Sequence, residues 1–312
     1  MTPAHACAIQ TASKSHVGRV RAANQDACAE FHHALGYRLL VIADGMGGHL
    51  GGETASRMAV EVIGRTFEHE LADPETLLER AFRRANEEIH RAARSDPSLH
   101  GMGTTGVALL IGPSATGWVA NVGDSRAYRL RGGELTRITE DHSWVSEEVR
   151  RGRISPSDAR RHPLKNVLLQ SIGTATQLEV ASAKIDLRPG DRLLLCSDGL
   201  WGEVEDAAIA QILEREPPEA AVDALVELAN ASGGSDNVTV QVASLTEPGE
   251  RAAIAIGIDA PVERPDAMRS EPQPRASVAH ASDTSRRHLW ARPAAIAAGL
   301  FAASAVFWRT CS

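Results

Sequence analysis

The sequence predicts an α+β fold in which helices pack in layers on a largely antiparallel sheet. Short apolar runs bounded by glycine, proline and other turn residues recur along the chain, which is typical of strands. Few of these runs are followed by a helical pattern, so a regular parallel strand–helix–strand series is excluded. The predicted strands are residues 38–43, 107–111, 117–122, 127–130, 192–196 and 238–244.

Four segments show helical periodicity and supply the outer layers of the predicted fold. They are residues 51–71, 74–94, 207–215 and 218–231. In the second segment, apolar residues recur at intervals of three and four, which places them on one face of a helix. These residues are Leu77, Leu78, Ala81, Phe82, Ala85 and Ile89. We expect this face to be buried against the sheet.

Residues 142–173 differ from the segments on either side because they are polar and rich in arginine. Short helical patterns occur within them at 144–151 and 155–161. We predict a small surface subdomain here, a flap beside a functional site. The composition fits an ordinary helical insertion equally well, so both interpretations stay open.

The chain changes character after residue 247, where the predicted folded domain, residues 1–247, ends. Residues 248–290 carry scattered proline, serine and arginine without periodicity, which predicts a flexible linker. Residues 291–309 are predicted to form a C-terminal membrane anchor, because 293–308 hold no charge and arginines lie on both sides. A spanning helix needs about 20 apolar residues. An interfacial helix or a helix that docks on a partner therefore remains an alternative.

The charge distribution excludes some classes of partner. The net charge of the 312-residue chain is −7, with about −9 in residues 1–247 and about +2 in the remainder. An acidic domain repels nucleic acid, so no nucleic-acid partner is expected. Arginines before the anchor predict a cytoplasmic domain tethered to the inner membrane.

The cysteine usage agrees with a cytoplasmic location. The four cysteines show neither CxxC spacing nor a cysteine–histidine metal pattern. Cys28 and Cys196 lie in apolar, strand-like segments, where we expect buried, reduced thiols. A reducing compartment is therefore predicted.

Aspartates follow several of the predicted strands directly. Asp44, Asp124 and Asp198 each end an apolar run, and Asp236 opens the last strand. Carboxylates that converge at the rim of a sheet repel one another unless cations lie between them. Oxygen ligands of this kind suit Mg²⁺ or Mn²⁺. A single Asp-Gly pair is most often a plain turn, but the set predicts an acidic metal site.

Six short motifs, in order, resemble those of the type 2C metal-dependent protein serine/threonine phosphatases (PPM) in their bacterial form. They are SHVGRVRAANQD at 15–26, ADGMGGH at 43–49, GMGTT at 101–105, VGDSR at 122–126, SDGL at 197–200 and SDNVT at 235–239. The resemblance covers about 230 residues. It implies a central antiparallel β-sandwich flanked by helices on both sides (αββα), with residues 1–247 as the catalytic domain.

The resemblance also implies a role for each site residue. Asp44 would bridge two metal ions and act in catalysis, and Gly45 would lend its carbonyl oxygen. Asp198 and Asp236 would complete one ligand set. The remaining implied roles are Asp26 in or beside the metal shell, Asp124 with Asp198 on a third ion, and Arg21 as catalytic binder of the substrate phosphate. The implied cofactors are two or three Mn²⁺ or Mg²⁺ ions.

The implied function is hydrolysis of phosphoserine and phosphothreonine in proteins by a metal-bridged hydroxide, without a phosphoenzyme. A monomeric catalytic domain would then oppose serine/threonine kinases. Two departures from the family pattern are visible. Gln25 stands where many members have glutamate, and Met46 stands where animal members have a histidine proposed as general acid. The proton donor stays open between His49 and a metal-bound water.

Two other functions remain as hypotheses. One is a catalytically silent module that binds phosphoproteins. The other is a metal-dependent hydrolase of small phosphate esters. The presence of all five aspartates argues against the first, and phosphopeptide kinetics would decide the second.

Overall fold

The computed structural model describes residues 7–70, 73–247 and 309–310. The strands are β1 Ala8–His16, β2 Asp26–His32, β3 Arg38–Met46, β4 Gly103–Thr104, β5 Gly106–Ile111, β6 Thr116–Val122, β7 Arg126–Arg131, β8 Glu134–Arg137, β9 Ala181–Asp186, β10 Arg192–Cys196, β11 Val238–Thr246 and β12 Arg309–Thr310. The α-helices are α1 Gly48–His69, α2 Pro74–Ser95, α3 Trp144–Arg150, α4 Pro156–Ala159, α5 Asp198–Trp201, α6 Asp206–Arg215 and α7 Pro218–Ser232, and a 3₁₀ turn covers Pro97–Leu99.

The strands form two sheets, and every pair that the structure describes is antiparallel. The order is β1-β11-β10-β7-β8 in the first sheet. It is β12-β2-β3-β5-β6-β9 in the second, where β4 also pairs with β3. One buried cluster joins the sheets face to face and contains Leu40, Val107 and Leu109 from the second and Leu193 and Ala243 from the first. The sheets therefore pack as a sandwich.

Helices cover both outer faces of this sandwich. The six apolar residues predicted on one face of α2 are all buried, in a cluster with residues of α1 and the second sheet. Residues of α6 and α7 form the matching cluster on the first sheet. The predicted αββα architecture is confirmed, because each helix has an apolar stripe that only a sheet face can bury.

All six predicted strands and all four predicted long helices are present. The predicted strands do not include β1, β4, β8, β9 and β12, and the strand-like segment around Cys28 forms β2. β1 has no apolar run of its own, and nine residues of it pair with β11, from Ala8 opposite Thr246 to His16 opposite Val238. A partner strand therefore decides the structure of this segment, whereas its own side chains do not.

Helix α1 begins at Gly48, three residues before the predicted start. The glycines near its start disfavour a helix on propensity alone. Close packing explains them, because a Cβ on Gly52 would lie 2.5 Å from Nε2 of Gln25 and one on Gly45 would lie 2.0 Å from the carbonyl oxygen of Gly52. The first turn of α1 thus packs directly on the strand end that carries Asp44.

The predicted flap contains α3 and α4, close to the expected segments. An isolated bridge between Ser143 and Leu168 closes the segment on itself, and a second bridge, between Ile172 and Thr104 of β4, fastens its end to the sandwich. Arg160, just after α4, donates to the carbonyl oxygen of Trp201 at 2.7 Å. The segment therefore lies against α5 and the strand ends.

The predicted linker, residues 248–290, and most of the predicted anchor, residues 291–308, lie outside the described residues. Arg309, predicted as the last residue of the anchor helix, pairs with Glu30 as part of β12, so that boundary is wrong. Within residues 7–70, 73–247 and 309–310, no helix is long and apolar enough to cross a bilayer.

The two cysteine predictions have different outcomes. Cys196 is a buried free thiol, as expected. Cys28 is buried but disulfide-bonded, so the prediction of a reduced thiol is wrong. Spacing along a chain does not show which thiols meet in the fold, so the disulfide could not be predicted from it.

Candidate functional site

Five aspartates gather where strands of both sheets end. Asp26 and Asp44 are paired across β2 and β3, so strand register alone makes them neighbours. Asp124 lies in the turn after β6, Asp198 begins α5 directly after β10, and Asp236 lies just before β11. The fold therefore brings together carboxylates that are up to 210 residues apart in the sequence.

A cleft of about 380 Å³ opens at this end of the sandwich. Six of the seven predicted site residues line it, namely Arg21, Asp44, Gly45, Asp124, Asp198 and Asp236. Asp26 is not in the lining. It lies behind the cleft, where the Ser197 hydroxyl donates to its Oδ2 at 2.8 Å.

The carboxylates raise one another's pKa. Burial, followed by the charges of Asp26 and Asp198, raises the pKa of Asp44 well above its usual value. Burial, followed by Asp198 and Asp141, does the same for Asp124, against the opposing effect of Arg126. This is the behaviour expected of like charges held together without a counterion.

The pKa values of Asp26 and Asp198 are raised towards neutrality. Burial, together with the charges of Asp198 and Asp236, raises the pKa of Asp26 to about 7. Burial and the charge of Asp236 raise the pKa of Asp198 to about 6. Both groups thus favour the neutral form far more than an exposed aspartate does.

The buried oxygens fit a divalent cation. Oδ1 of Asp26 and Oδ1 of Asp198 are buried and accept no hydrogen bond. A buried carboxylate oxygen without a partner is costly, and a hard cation supplies the missing partner. Among the described residues, no three histidine, cysteine or acidic side chains already converge as a ligand group.

Gly45 packs tightly between two other backbone segments. Its amide donates to the carbonyl oxygen of Gln25 at 3.1 Å. A Cβ at this position would lie 2.7 Å from that same oxygen, as well as against Gly52. Only glycine lets the backbone after Asp44 pack this closely against them, and the metal-binding role of its carbonyl oxygen stays a prediction.

Arg21 is ion-paired to one of the predicted metal ligands. Its Nη2 lies 2.7 Å from Oδ2 of Asp236, and about half of its side chain is exposed. The guanidinium therefore reaches the mouth of the cleft. A planar fork of N–H donors at this point suits a phosphate group.

Asn237 organises the loop that carries Arg21. Its Nδ2 donates to the carbonyl oxygens of Val17 and Ala23 at 2.8 and 3.0 Å, and its Oδ1 accepts from the amide of Gln25 at 2.8 Å. The sequence placed Asn237 inside a motif without a role. The three contacts show that it closes residues 17–25 into a fixed loop.

The flap supplies residues that sequence reasoning missed. Asn166 and Leu168 line the cleft, and the positive charge of Lys165 lowers the pKa of Asp198 against the larger effects of burial and Asp236. No spacing rule links residues 165–168 to the aspartates. Their only signal is a polar, turn-rich composition, which many surface loops share.

The two departures from the family pattern lie at the same cleft. Met46 is 37% exposed at its rim. The backbone carbonyl of Gln25 accepts from the hydroxyl of buried Ser56 at 2.6 Å. The side chain of His49 lies outside the described residues, so its predicted part as proton donor stays a prediction.

A family profile described as Protein phosphatase 2C matches residues 14–238. The serine/threonine phosphatase stp of Listeria monocytogenes is 38% identical over 244 residues, which cover 76% of this chain and 96% of the relative. The serine/threonine protein phosphatase PstP of Mycobacterium tuberculosis is 39% identical over 240 residues, 77% of this chain and 45% of the relative.

Solved structures give the same result. The serine/threonine phosphatase of S. agalactiae superposes with a TM-score of 0.72 at 35% identity. The match covers 76% of this chain and 99% of that one. The catalytic domain of PstP, in complex with two manganese ions, superposes with a TM-score of 0.69 at 37% identity. The match covers 77% of this chain and 100% of that one.

The raised pKa of Asp26 predicts how stability depends on pH. A carboxyl group whose pKa is higher in the folded than in the unfolded protein binds extra protons when folded. The free energy of unfolding therefore falls as the pH rises from about 4 to about 7. In EDTA, Asp26→Asn should make this decrease in the free energy of unfolding smaller. It should also stabilise the protein at pH 8 by about 1–3 kcal/mol. Urea unfolding at several pH values measures this.

Asp223→Asn is the matched control, because Asp223 is exposed on α7 and pairs with Lys14 outside the cleft. All other groups are common to the wild type and the variants, so the difference between their curves isolates the aspartate. If the free energy of unfolding depends on pH in the same way for wild type and Asp26→Asn, the pKa of Asp26 is not raised in the folded protein.

Proposed function

Because the chain belongs to the protein phosphatase 2C family and is a protein serine/threonine phosphatase, we propose that its five aspartates bind divalent cations and that Arg21 binds the substrate phosphate. The observation that carries the proposal is the pair of buried, unpartnered oxygens on Asp26 and Asp198. They belong to a carboxylate cluster whose raised pKa values call for positive charge.

Each aspartate has its own part in this arrangement. Asp44 would be shared between two ions, with the carbonyl oxygen of Gly45 as a further ligand. Asp198 and Asp236 would complete one ligand set, and Asp26 would support it from behind. Asp124, together with Asp198, would hold a third ion. Mn²⁺ or Mg²⁺ fits this all-oxygen set.

When bound, such ions activate water and neutralise charge on the phosphate. The protein's own residues bind and orient the phosphate. Arg21 leaves Asp236 and donates its N–H fork to two phosphate oxygens, which orients the phosphorus for in-line attack by water. Cys196 lies in the buried interior. We therefore propose direct transfer to water, without a phosphoenzyme.

The proton for the leaving serine or threonine oxygen needs a separate source. Met46 lies at the rim of the cleft and has no proton to give. Since the cleft is open to solvent, we propose that a water molecule there supplies the proton.

The biological substrates we propose are phosphorylated proteins. An open cleft beside a flap of about residues 142–173 admits a phosphoserine or phosphothreonine on a protein surface. The phosphatase, acting as a monomeric catalytic domain of residues 1–247, would oppose cytoplasmic serine/threonine kinases.

A metal-dependence experiment tests the function as a whole. Phosphate release from a phosphothreonine peptide should be strong in Mn²⁺ and lost in EDTA. Asp44→Asn and Asp198→Asn should each lower kcat/KM by at least about 10³-fold, because each removes charge from the ligand set. Asp223→Asn, remote from the cleft, is the control. Activity that survives EDTA and both substitutions would contradict the metal assignment.

Arg21→Ala tests phosphate binding. We expect kcat/KM to fall about 10²-fold or more, because a charge-assisted pair of hydrogen bonds is lost. The kcat/KM of Arg21→Lys should lie between those of wild type and Arg21→Ala. Arg19→Ala, two residues away and also exposed, should change little. Assays should compare the phosphopeptide with an aryl phosphate. Equal efficiency on both substrates would favour a hydrolase of small esters.

We propose from the sequence alone that the C-terminal segment tethers the enzyme to the inner membrane. The uncharged stretch at 293–308 and its flanking arginines support this. Fractionation of cells that produce the full chain or a chain ending at Glu247 tests it. We expect the full chain in the membrane fraction and the shorter chain outside it. Identical distribution of both chains would refute the tether.

A further inference from the structure

Trp201 touches the metal-site loop from the far end of α5. This helix is a single turn, with Asp198 at its start and Trp201 at its end. The indole Nε1 of Trp201 donates to the main-chain carbonyl oxygen of Asp124 at 3.0 Å. One short element thus carries one aspartate and holds the backbone of another.

Arg126 braces the same contact. Its guanidinium carbon lies 3.5 Å from the centre of the Trp201 ring, which is a stacked cation–π arrangement. Its Nε and Nη2 donate to the two carboxylate oxygens of Asp141 at 2.9 and 2.7 Å. Only 12% and 6% of these two side chains are exposed. The pair is therefore buried and bidentate, a geometry that lysine cannot reproduce.

Further hydrogen bonds hold the loop of Asp124 and the Trp201 end of α5. The amide of His142 donates to the carbonyl oxygen of Gly123 at 2.8 Å, directly before Asp124. On the other side, Arg160 of the flap donates to the carbonyl oxygen of Trp201 at 2.7 Å. The loop of Asp124 and the end of α5 are thus fixed relative to each other by side chains.

This bracing opposes a specific force. Asp124 and Asp198 line the same cleft, so their carboxylates repel each other when both are charged. A one-turn helix has little rigidity of its own. If α5 could shift, the two carboxylates would separate and the site for a shared cation would widen.

We propose that Trp201 and the Arg126–Asp141 pair are positioning residues, which hold the Asp124 and Asp198 carboxylates at the spacing that binds a divalent cation. This inference rests on the proposed function. Residues that orient metal ligands typically alter metal affinity by about 10–100-fold when they are replaced.

The test is a titration of Mn²⁺ into the EDTA-treated, dialysed full chain by isothermal calorimetry. Trp201→Phe keeps an aromatic ring below Arg126 but removes the N–H donor. Arg126→Lys keeps the charge but removes the fork. Each should weaken Mn²⁺ binding at the affected site by about tenfold. At saturating Mn²⁺, the KM for an aryl phosphate should stay within twofold of wild type.

Trp118→Phe is the matched control. Trp118 is a partly buried tryptophan on β6 that contacts Tyr37 and Lys184 instead of the aspartates. A general loss of packing would lower thermal stability in EDTA for Trp201→Phe and Trp118→Phe alike. Only the positioning role predicts weaker Mn²⁺ binding in the first and unchanged binding in the second.

The outcomes separate this inference from the proposed function. If folded Trp201→Phe binds Mn²⁺ within twofold of wild type, the positioning role is wrong. If wild type itself binds no Mn²⁺, the proposed metal function fails first. Circular dichroism checks folding, and Trp201→Phe decides the question even if Arg126→Lys does not fold.

Discussion

Five aspartates gathered at one site are the constraint on which the arrangement of this protein depends. Burial, followed by mutual repulsion, disfavours the charged forms of Asp26, Asp44, Asp124 and Asp198. Raising the pKa of an aspartate by one unit corresponds to about 1.4 kcal/mol against its charged form. The pKa of Asp26 is about 7 and that of Asp198 about 6. Free loops would relieve this repulsion by moving apart. The sandwich prevents that movement, because each aspartate lies in a paired strand or within two residues of one.

The strand pairs of the buried core fix the positions of the aspartates in the cleft. Asp26 lies opposite Asp44 because β2 and β3 are in register over seven residues, and their other members are largely buried. β10 leads into Ser197, whose amide donates to the carbonyl oxygen of Thr239 on β11 at 3.0 Å. Separating the carboxylates would break ladder hydrogen bonds and uncover apolar side chains, which costs more than the repulsion.

Neutral hydrogen bonds complete this framework around the charges. Ser197 donates to Asp26 and accepts from the amide of Thr239, so it links a ligand to the opposite sheet. Thr105 accepts from the amide of Asp44 at 3.0 Å. Asn237 holds the loop of Arg21. These polar contacts are short-range and directional, so they orient the carboxylates without adding charge to the cleft.

The sequence by itself determined the αββα layers, the long helices, the six apolar strands and most of the site. Apolar runs such as 192–196 and the helical face of α2 are recognisable because burial imposes their pattern locally. The motifs located Asp44, Asp124, Asp198, Asp236 and Arg21. Only the tertiary structure decided that β1 is a strand, that Asp26 lies behind the cleft, that Asn166 and Asn237 line it, and that Trp201 donates to the carbonyl oxygen of Asp124. Each of these depends on a partner far away in the chain, and the spacing of residues carries no information about such contacts.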